Sequence, residues 1–193
     1  MKLHALTCDP GFGNFGWAIV AWDSESRSNT LCDMGVITTK KAKKKQRVLA
    51  TEDNFARLRE IATKLHGLVL EHDVRVVSFE AFSMPMKANK SNLTKIGMPY
   101  GALAMLVTAR DVAVVMLTPQ AIKKELCGKI SASKEEVRTE VLRVLAAPRH
   151  QPVLKIFDKQ TPKAQHEHGY DALAVYLAAQ NSEVMRALRG GAG

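Results

Sequence analysis

The order of apolar segments constrains the fold of this chain more than any other feature of its sequence. Three short apolar runs joined by short polar turns come first, and they predict an antiparallel meander of strands at 3–8, 16–23 and 31–38. Strands predicted at 74–80 and 112–117 then alternate with helices predicted at 51–71 and 93–110. This order is typical of an α/β fold, in which helices flank a mixed five-stranded sheet of antiparallel and parallel strands.

The first two helices are predicted with different signals. The helix at 51–71 follows from apolar residues spaced three and four apart. These are Phe55, Leu58, Ala62, Leu65 and Val69. The helix at 93–110 is expected to be interrupted near Pro99 and Gly101.

Capping signals place the remaining helices. Thr118 before Pro119 predicts a helix start, and Gly128 predicts its end. Ser133 and Glu136 have the spacing of a capping box, so a further helix follows. The polar, proline-containing stretch 147–165 is predicted to be a long loop, with a final helix at 167–180. We expect one domain over 1–189 and a disordered tail at 190–193.

The charge of the chain favours a polyanionic partner. It carries 28 lysine and arginine residues against 19 aspartate and glutamate residues, a formal net charge of +9. A basic balance of this size favours nucleic acid, although a generally basic surface that aids solubility is the alternative. The densest basic run, at 40–47, is expected to be a solvated loop.

The chain shows no signal for a membrane or for secretion. No apolar stretch approaches the ~20 residues of a membrane span, and the first residues lack the pattern of a signal peptide. The three cysteines are odd in number and lack CxxC spacing, which favours free thiols in a reducing compartment over a zinc site. A cytoplasmic, nucleoid-associated protein is expected, in its own cell or in a phage-infected host.

Three acidic residues lie at the ends of predicted elements. Asp9 ends the first strand, Glu80 ends the strand at 74–80, and Asp171 lies near the start of the last helix. Ligands of α/β sheets bind beyond strand ends, so neighbouring parallel strands would bring these acids to one edge. Carboxylates brought together repel one another unless a cation neutralises them, and Mg²⁺ or Mn²⁺ prefers such oxygen ligands.

Each acid also has an ordinary structural interpretation. Asp9 could cap the turn at 10–13, Glu80 could be the solvated end of a strand, and Asp171 could complement a helix dipole. The order of the three acids favours the cluster, but each residue alone would favour the simpler role.

A histidine is also available for the cluster. His168 lies three residues before Asp171 and therefore on the same helix face. His166 and Glu167 are close enough in sequence that spacing does not decide between the three, and an ordinary surface or core histidine is the alternative.

Four segments occur in order and at suitable separations: DPGFGNFGWAIV, VVSFEAF, TPQAIKKELCGKISASKEEV and GYDALAVYLA. With a glycine-bearing helix start at 97–101, they resemble the RuvC family of Holliday-junction resolvases, within the ribonuclease H-like nucleases. The resemblance covers nearly the whole chain. It implies catalytic, metal-binding residues at Asp9, Glu80 and Asp171, with His168 at the position three residues earlier.

The resemblance also implies an activity and an assembly. A homodimer would cut four-way junctions at symmetric positions by metal-dependent hydrolysis, with two Mg²⁺ ions per site or Mn²⁺ in their place. The products would carry 5′-phosphate and 3′-hydroxyl ends. The helix at 93–110 is the expected interface, through Leu103, Leu106 and Val107, for which core packing is the alternative.

DNA contacts are expected outside the acidic cluster. By spacing, Lys123 and Lys134 match two family lysines that contact DNA, with an ordinary solvated helix face as the alternative. Phe82 is the candidate for the aromatic residue that probes the junction centre. Further contacts are expected from basic residues in two other segments, Lys43, Lys44, Lys87 and Lys90.

Departures from the family pattern leave other functions open. The basic run at 40–47 is heavier and the stretch 147–165 is longer than is usual, which suggests a divergent branch, phage-encoded or organellar. One alternative is a broader nuclease that debranches forks, flaps and three-way junctions. Less favoured alternatives are an actin-like ATP-binding protein, for which 193 residues leave little room, and a non-catalytic junction-binding protein.

Overall fold

Five strands form one mixed sheet in the order β3-β2-β1-β4-β5. A computed structural model describes residues 2–43, 48–82 and 90–190, with side chains from residue 95 onward in the last range. The strands are β1 (Lys2–Asp9), β2 (Asn14–Asp23), β3 (Ser28–Thr38), β4 (Val74–Glu80) and β5 (Ala113–Leu117). β1, β2 and β3 pair antiparallel, whereas β1, β4 and β5 pair parallel, which confirms the predicted sheet.

Helices cover both faces of the sheet. They are α1 (Ala50–Glu71), α2 (Lys90–Arg110), α3 (Pro119–Cys127), α4 (Lys134–Leu145), α5 (Gln151–Gln160), α6 (His166–Ala179) and α7 (Glu183–Leu188). One core lies between the sheet and α1 and α2, and the other between the sheet and α3 to α7. Consecutive residues of a strand point alternately into the two cores. Ala5 therefore lies in the core on the α6 side of the sheet, and Leu6 in the core on the α1 side.

The predicted capping signals are confirmed. The Thr118 side chain accepts a hydrogen bond from the amide of Ala121 at 3.1 Å, and Gly128 ends α3 with a φ of 73°. Ser133 and Glu136 exchange side-chain-to-amide hydrogen bonds of 3.1 and 2.8 Å at the start of α4. These caps fix where α3 ends and α4 begins, on either side of the turn between them.

The prediction of a long loop at 147–165 is wrong. A 3₁₀ turn at Pro148–His150, helix α5 and a second 3₁₀ turn at Lys163–Gln165 occupy most of it. The prolines of this stretch do not break these elements, because they stand at or just before the first turn, where no amide donor is needed. Phe157 anchors α5 in the core with 1% of its surface exposed.

Two details of the first predicted helices are also wrong. α2 continues through Pro99, although proline removes one amide donor, and its side chains at Leu103 and Leu106 pack in the core. Those two residues therefore follow the core-packing alternative. On α1, Phe55 is 65% exposed, because the buried stripe runs instead through Arg57 and Ile61.

The C-terminal region differs slightly from the expectation. α6 begins at His166, and α7 follows it as a further short helix that the sequence pattern did not reveal. Gly190 ends α7, and the remaining tail, at 191–193, lies outside the described residues. Among the helices of the described ranges, none combines the length and apolar composition needed to cross a bilayer.

The stability of the fold is expected to depend on the protonation of His150. This ring is 3% exposed, and its Nδ1 accepts a hydrogen bond from the amide of Leu31 at 3.2 Å. Burial, followed by the charge of Arg149, lowers the pKa of His150 below its ordinary value of 6.5. Below that pH the unfolded chain binds a proton that the folded chain does not, so this contribution to the free energy of unfolding falls as the pH decreases.

Urea unfolding of the wild type and of His150→Gln measures this contribution. The stability of the wild type minus that of the variant is expected to rise as the pH increases through the ordinary histidine pKa of 6.5, and to level off about one unit above it. Subtracting the two stabilities cancels the contributions of all other titrating groups, which the wild type and the variant share. A difference that stays constant over this range would show that His150 titrates equally in the folded and unfolded chains.

Candidate active site

The predicted cluster lies around one cleft of about 410 Å³ at the carboxyl ends of β1 and β4. We call it the active cleft. The charged and titratable side chains that line it are Asp9, Glu80, Lys123, Lys134, His168 and Asp171. The structure thus brings together all four predicted catalytic residues and two of the predicted DNA-binding lysines.

Register and alternation explain how two of the acids reach this cleft. Cys8 pairs with Phe79 across β1 and β4, so the next residue of each strand, Asp9 or Glu80, lies at the same edge of the sheet. Cys8 and Phe79 belong to the α1 side of the core. Because side chains alternate along a strand, Asp9 and Glu80 face the α6 side.

Close packing of α6 on the sheet brings the other two groups to the cleft. A Cβ atom at Gly16, which pairs with Asp9, would overlap the carbonyl oxygen of His168. Only glycine therefore lets α6 approach β2 at this point. The buried Thr7 hydroxyl donates a hydrogen bond of 2.6 Å to the carbonyl of Ala172, which fixes α6 along β1.

His168 is the histidine that faces the first acid. Its Nδ1 lies 3.0 Å from Oδ2 of Asp9. That hydrogen bond raises the pKa of His168, against the opposing effect of burial. The Asp9 carboxylate thus contacts a side chain of α6. This contact favours a role in the site over simple capping of the turn at 10–13.

His166 has a different and structural role. Its Nε2 lies 2.8 Å from the carbonyl oxygen of Thr161, and its ring packs against Phe157 and Tyr170. The sequence left the choice between His166, Glu167 and His168 open because spacing did not decide among them. The structure directs His166 toward α5 and His168 toward the active cleft.

The carboxyl groups of the cluster destabilise one another's charged forms. Burial, followed by the charges of Asp9 and Asp171, raises the pKa of Glu80 to about 7. Burial and Asp9 likewise raise the pKa of Asp171 to about 6. Asp171 lies in the second turn of α6, beyond the first turn where a helix dipole acts most strongly, so the dipole interpretation is wrong.

The donor set matches the chemistry of a divalent cation. Three carboxyl groups and an imidazole provide hard oxygen and nitrogen ligands, and a cation would remove the repulsion that raises the pKa values of Glu80 and Asp171. Within the described ranges, no three such side chains already converge on one point closely enough to hold an ion. Side chains around the active cleft would therefore rotate toward a bound ion.

Arg57 holds the turn that follows Asp9, a role that sequence reasoning missed. Its side chain is buried in α1, donates hydrogen bonds to Thr39 Oγ1 at 2.9 Å and to the Phe12 carbonyl at 3.3 Å, and stacks on the Phe12 ring. The Thr39 hydroxyl donates to the same carbonyl at 2.6 Å. The only signal in the sequence was an arginine four residues before Ile61, on the buried stripe of α1.

Tyr100 supports the other strand end of the site. Its hydroxyl donates a hydrogen bond of 3.0 Å to the backbone carbonyl of Glu80. Phe82 contacts the edge of the Tyr100 ring, with a centroid distance of 5.8 Å, and is 39% exposed. Phe82 therefore packs on α2, two residues after Glu80, with part of its ring accessible.

The predicted DNA-binding lysines fall into three groups. Lys123 and Lys134 line the active cleft, and Nζ of Lys134 lies 3.8 Å from Oδ2 of Asp171. Lys43 lines a separate cleft. Lys44 and Lys87 lie outside the described residues, as does the side chain of Lys90, whose backbone begins α2.

The fold and the site define a ribonuclease H-like α/β protein with acids at the ends of β1 and β4 and on α6. A family profile described as crossover junction endodeoxyribonuclease RuvC matches residues 5–178. The chain therefore belongs to the RuvC family, a family of divalent-metal nucleases.

Individual relatives extend the match over the whole chain. The RuvC of Ehrlichia chaffeensis is 28% identical over 147 residues, which cover 75% of this chain and 83% of that protein. The RuvC of Neorickettsia sennetsu is 24% identical over 190 residues, or 97% and 98% of the two chains. The Thermus thermophilus RuvC structure has a TM-score of 0.66 at 22% identity, with 98% and 97% covered, and so shares the fold.

Substitution of Gly16 tests how α6 is positioned. Gly16→Ala is expected to lower the free energy of unfolding by about 1–3 kcal/mol, because the new methyl group forces the His168 backbone away from β2. Gly13→Ala is the matched control, since a Cβ there meets no atom within 4 Å. Urea unfolding of both variants provides the measurement, and equal stabilities would contradict the close approach at Gly16.

Proposed function

We propose that this chain is a metal-dependent endonuclease that resolves Holliday junctions by paired, symmetric cleavage, leaving 5′-phosphate and 3′-hydroxyl ends. The observation that supports this most strongly is the active cleft. Asp9, Glu80, His168 and Asp171 share it with Lys123 and Lys134 in a chain of the RuvC family. Acidic ligands for cations and basic contacts for phosphate thus lie side by side, as phosphodiester hydrolysis requires.

The four catalytic candidates divide into two ligand sets. We assign Asp9 to both sets, Glu80 to one, and Asp171 with His168 to the other. Two Mg²⁺ ions, or Mn²⁺ in their place, would supply an activated water and neutralise the leaving 3′ oxygen. Glu80 and Asp171, whose pKa values are raised to about 7 and about 6, would bind these ions as carboxylates after losing their protons.

Other residues of the active cleft orient the reaction. His168 holds a proton between its Nδ1 and Asp9, which fixes the orientation of that carboxylate. The ammonium group of Lys134 contacts Asp171 at 3.8 Å and can turn to a phosphate oxygen when cations neutralise the acids. The apolar side chains of Ile122 and Val137 form part of the wall and limit the access of water.

A homodimer would present two active clefts to the two strands that are cut. Since Leu103 and Leu106 lie in the core, an interface on α2 would use the opposite face of that helix. Met105 on that face is 71% exposed, which supports this assignment. We therefore keep α2 as the proposed interface but replace the residues first considered.

Substitution of Asp9 by the isosteric asparagine tests the proposed catalysis. Asp9→Asn is expected to reduce cleavage of a synthetic four-way junction by at least about a hundredfold, because both ligand sets lose an anionic oxygen. Junction binding should remain within a few-fold of the wild type. Asp73→Asn is the matched control, because this exposed residue precedes β4 at the opposite end of the sheet.

Three results would count against the proposal. Cleavage by Asp9→Asn at the rate of the control would show that this carboxylate is not catalytic. Loss of the folded circular dichroism spectrum in Asp9→Asn would instead favour the turn-capping role. Equal cleavage rates on forks, flaps and four-way junctions by the wild type would support the broader debranching nuclease.

A further inference from the structure

A second cleft lies beside the segment that follows β3, which is hydrogen-bonded through Thr39 to the turn after Asp9. Its volume is about 320 Å³, and we call it the lysine cleft. The residues that define it are Lys41, Lys43, Val48, Asp53, Asn54 and Lys95. Two of the lysines come from the segment after β3, whereas Lys95 comes from α2, so separate elements direct basic side chains into one space.

The backbone of this basic segment is fastened to the protein. The Ala42 amide donates a hydrogen bond of 2.8 Å to Oδ1 of Asp53, near the start of α1. Three residues earlier, the Thr39 amide donates to the Gly13 carbonyl at 2.9 Å. The segment that carries Lys41 is therefore held at both ends, although its lysines are exposed as predicted for a solvated loop; residues 44–47 of the basic run lie outside the described residues.

We propose that the lysine cleft binds a backbone phosphate of the DNA arm beside the scissile strand. The cleft holds three lysines and one acid, and the carboxylate of Asp53 already accepts the Ala42 hydrogen bond. This excess of basic over acidic side chains would attract a phosphodiester anion without a sequence preference. This inference rests on the proposed function, since it assumes that the polyanion is the junction that is cut.

The two clefts are connected through the same short turn. Gly11 lines the active cleft, while Phe12 and Gly13 accept the hydrogen bonds of Thr39. Arg57 joins both sides by donating to Thr39 and Phe12. A DNA strand bound at both clefts would be held through this turn, so phosphate binding in the lysine cleft would help to set the position of the cut.

The salt dependence of DNA binding tests the proposal. Affinity for a four-way junction is measured over a range of salt concentrations in the non-cleaving Asp9→Asn background. Lys41→Ala/Lys95→Ala is expected to lower the affinity by about tenfold and to flatten the slope of log affinity against log salt by about 0.9 for each phosphate that the variant no longer neutralises. Lys41→Arg/Lys95→Arg should keep the slope of the parent protein.

Two further variants calibrate this measurement. Lys155→Ala/Lys159→Ala removes the same charge from α5 and should leave the slope within error of the parent. Lys134→Ala measures the phosphate interaction proposed inside the active cleft. Urea unfolding checks that each variant folds, and Lys95→Ala alone, expected to give a smaller decrease of the same sign, replaces the double variant if that chain does not fold.

The outcomes separate the two proposals. If the double alanine variant matches the α5 control in affinity and slope, the lysine cleft does not bind DNA, whether or not the wild type cleaves junctions. If calorimetry shows that inorganic phosphate binds the cleft while the DNA slope is unchanged, the site takes free anions and the proposal is also overturned. Failure of the wild type to cleave any junction would overturn the proposed function but leave the slope measurement valid.

Discussion

The close approach of α6 to the central strands is the constraint on which the rest of the site depends. Gly16 leaves room for the backbone at His168, and the Thr7 hydroxyl fixes the helix along β1 through the carbonyl of Ala172. With α6 held there, His168 reaches Asp9 and Asp171 reaches the active cleft. A methyl group at Gly16 would push the His168 backbone away from β2, and with it Asp171 away from the acids of the sheet.

The assembled cluster carries an electrostatic cost that bound protons or cations reduce. Burial and mutual repulsion raise the pKa values of Glu80 and Asp171, so the protein alone does not favour their fully charged forms. Structural acids usually gain partners that lower their pKa, whereas these acids are held near one another. This is typical of a site that exchanges protons for cations. Without a bound cation, the positive charge of Lys134 beside Asp171 offsets part of the repulsion between the acids.

The sequence predicted most of the sheet and the acids but not what holds them in place. The positions of the five strands along the chain and the caps of α3 and α4 followed from local patterns, because alternation and capping act over a few residues. α5 was missed because prolines and polar residues obscured the spacing of Val153 and Phe157. The roles of Arg57 and Tyr100 depend on contacts between distant segments, which spacing along the chain does not reveal. The distinction between His166 and His168 likewise required the packing of α5.

Cleavage of a mobile four-way junction in the presence of Mg²⁺, mapped to the nucleotide on all strands, tests the central claim most directly. The proposed homodimer, with its two active clefts, predicts paired nicks at symmetric positions in two opposed strands, with 5′-phosphate ends that a ligase can seal. No cleavage with either Mg²⁺ or Mn²⁺, or nicks confined to one strand, would contradict the proposal that this cluster resolves junctions.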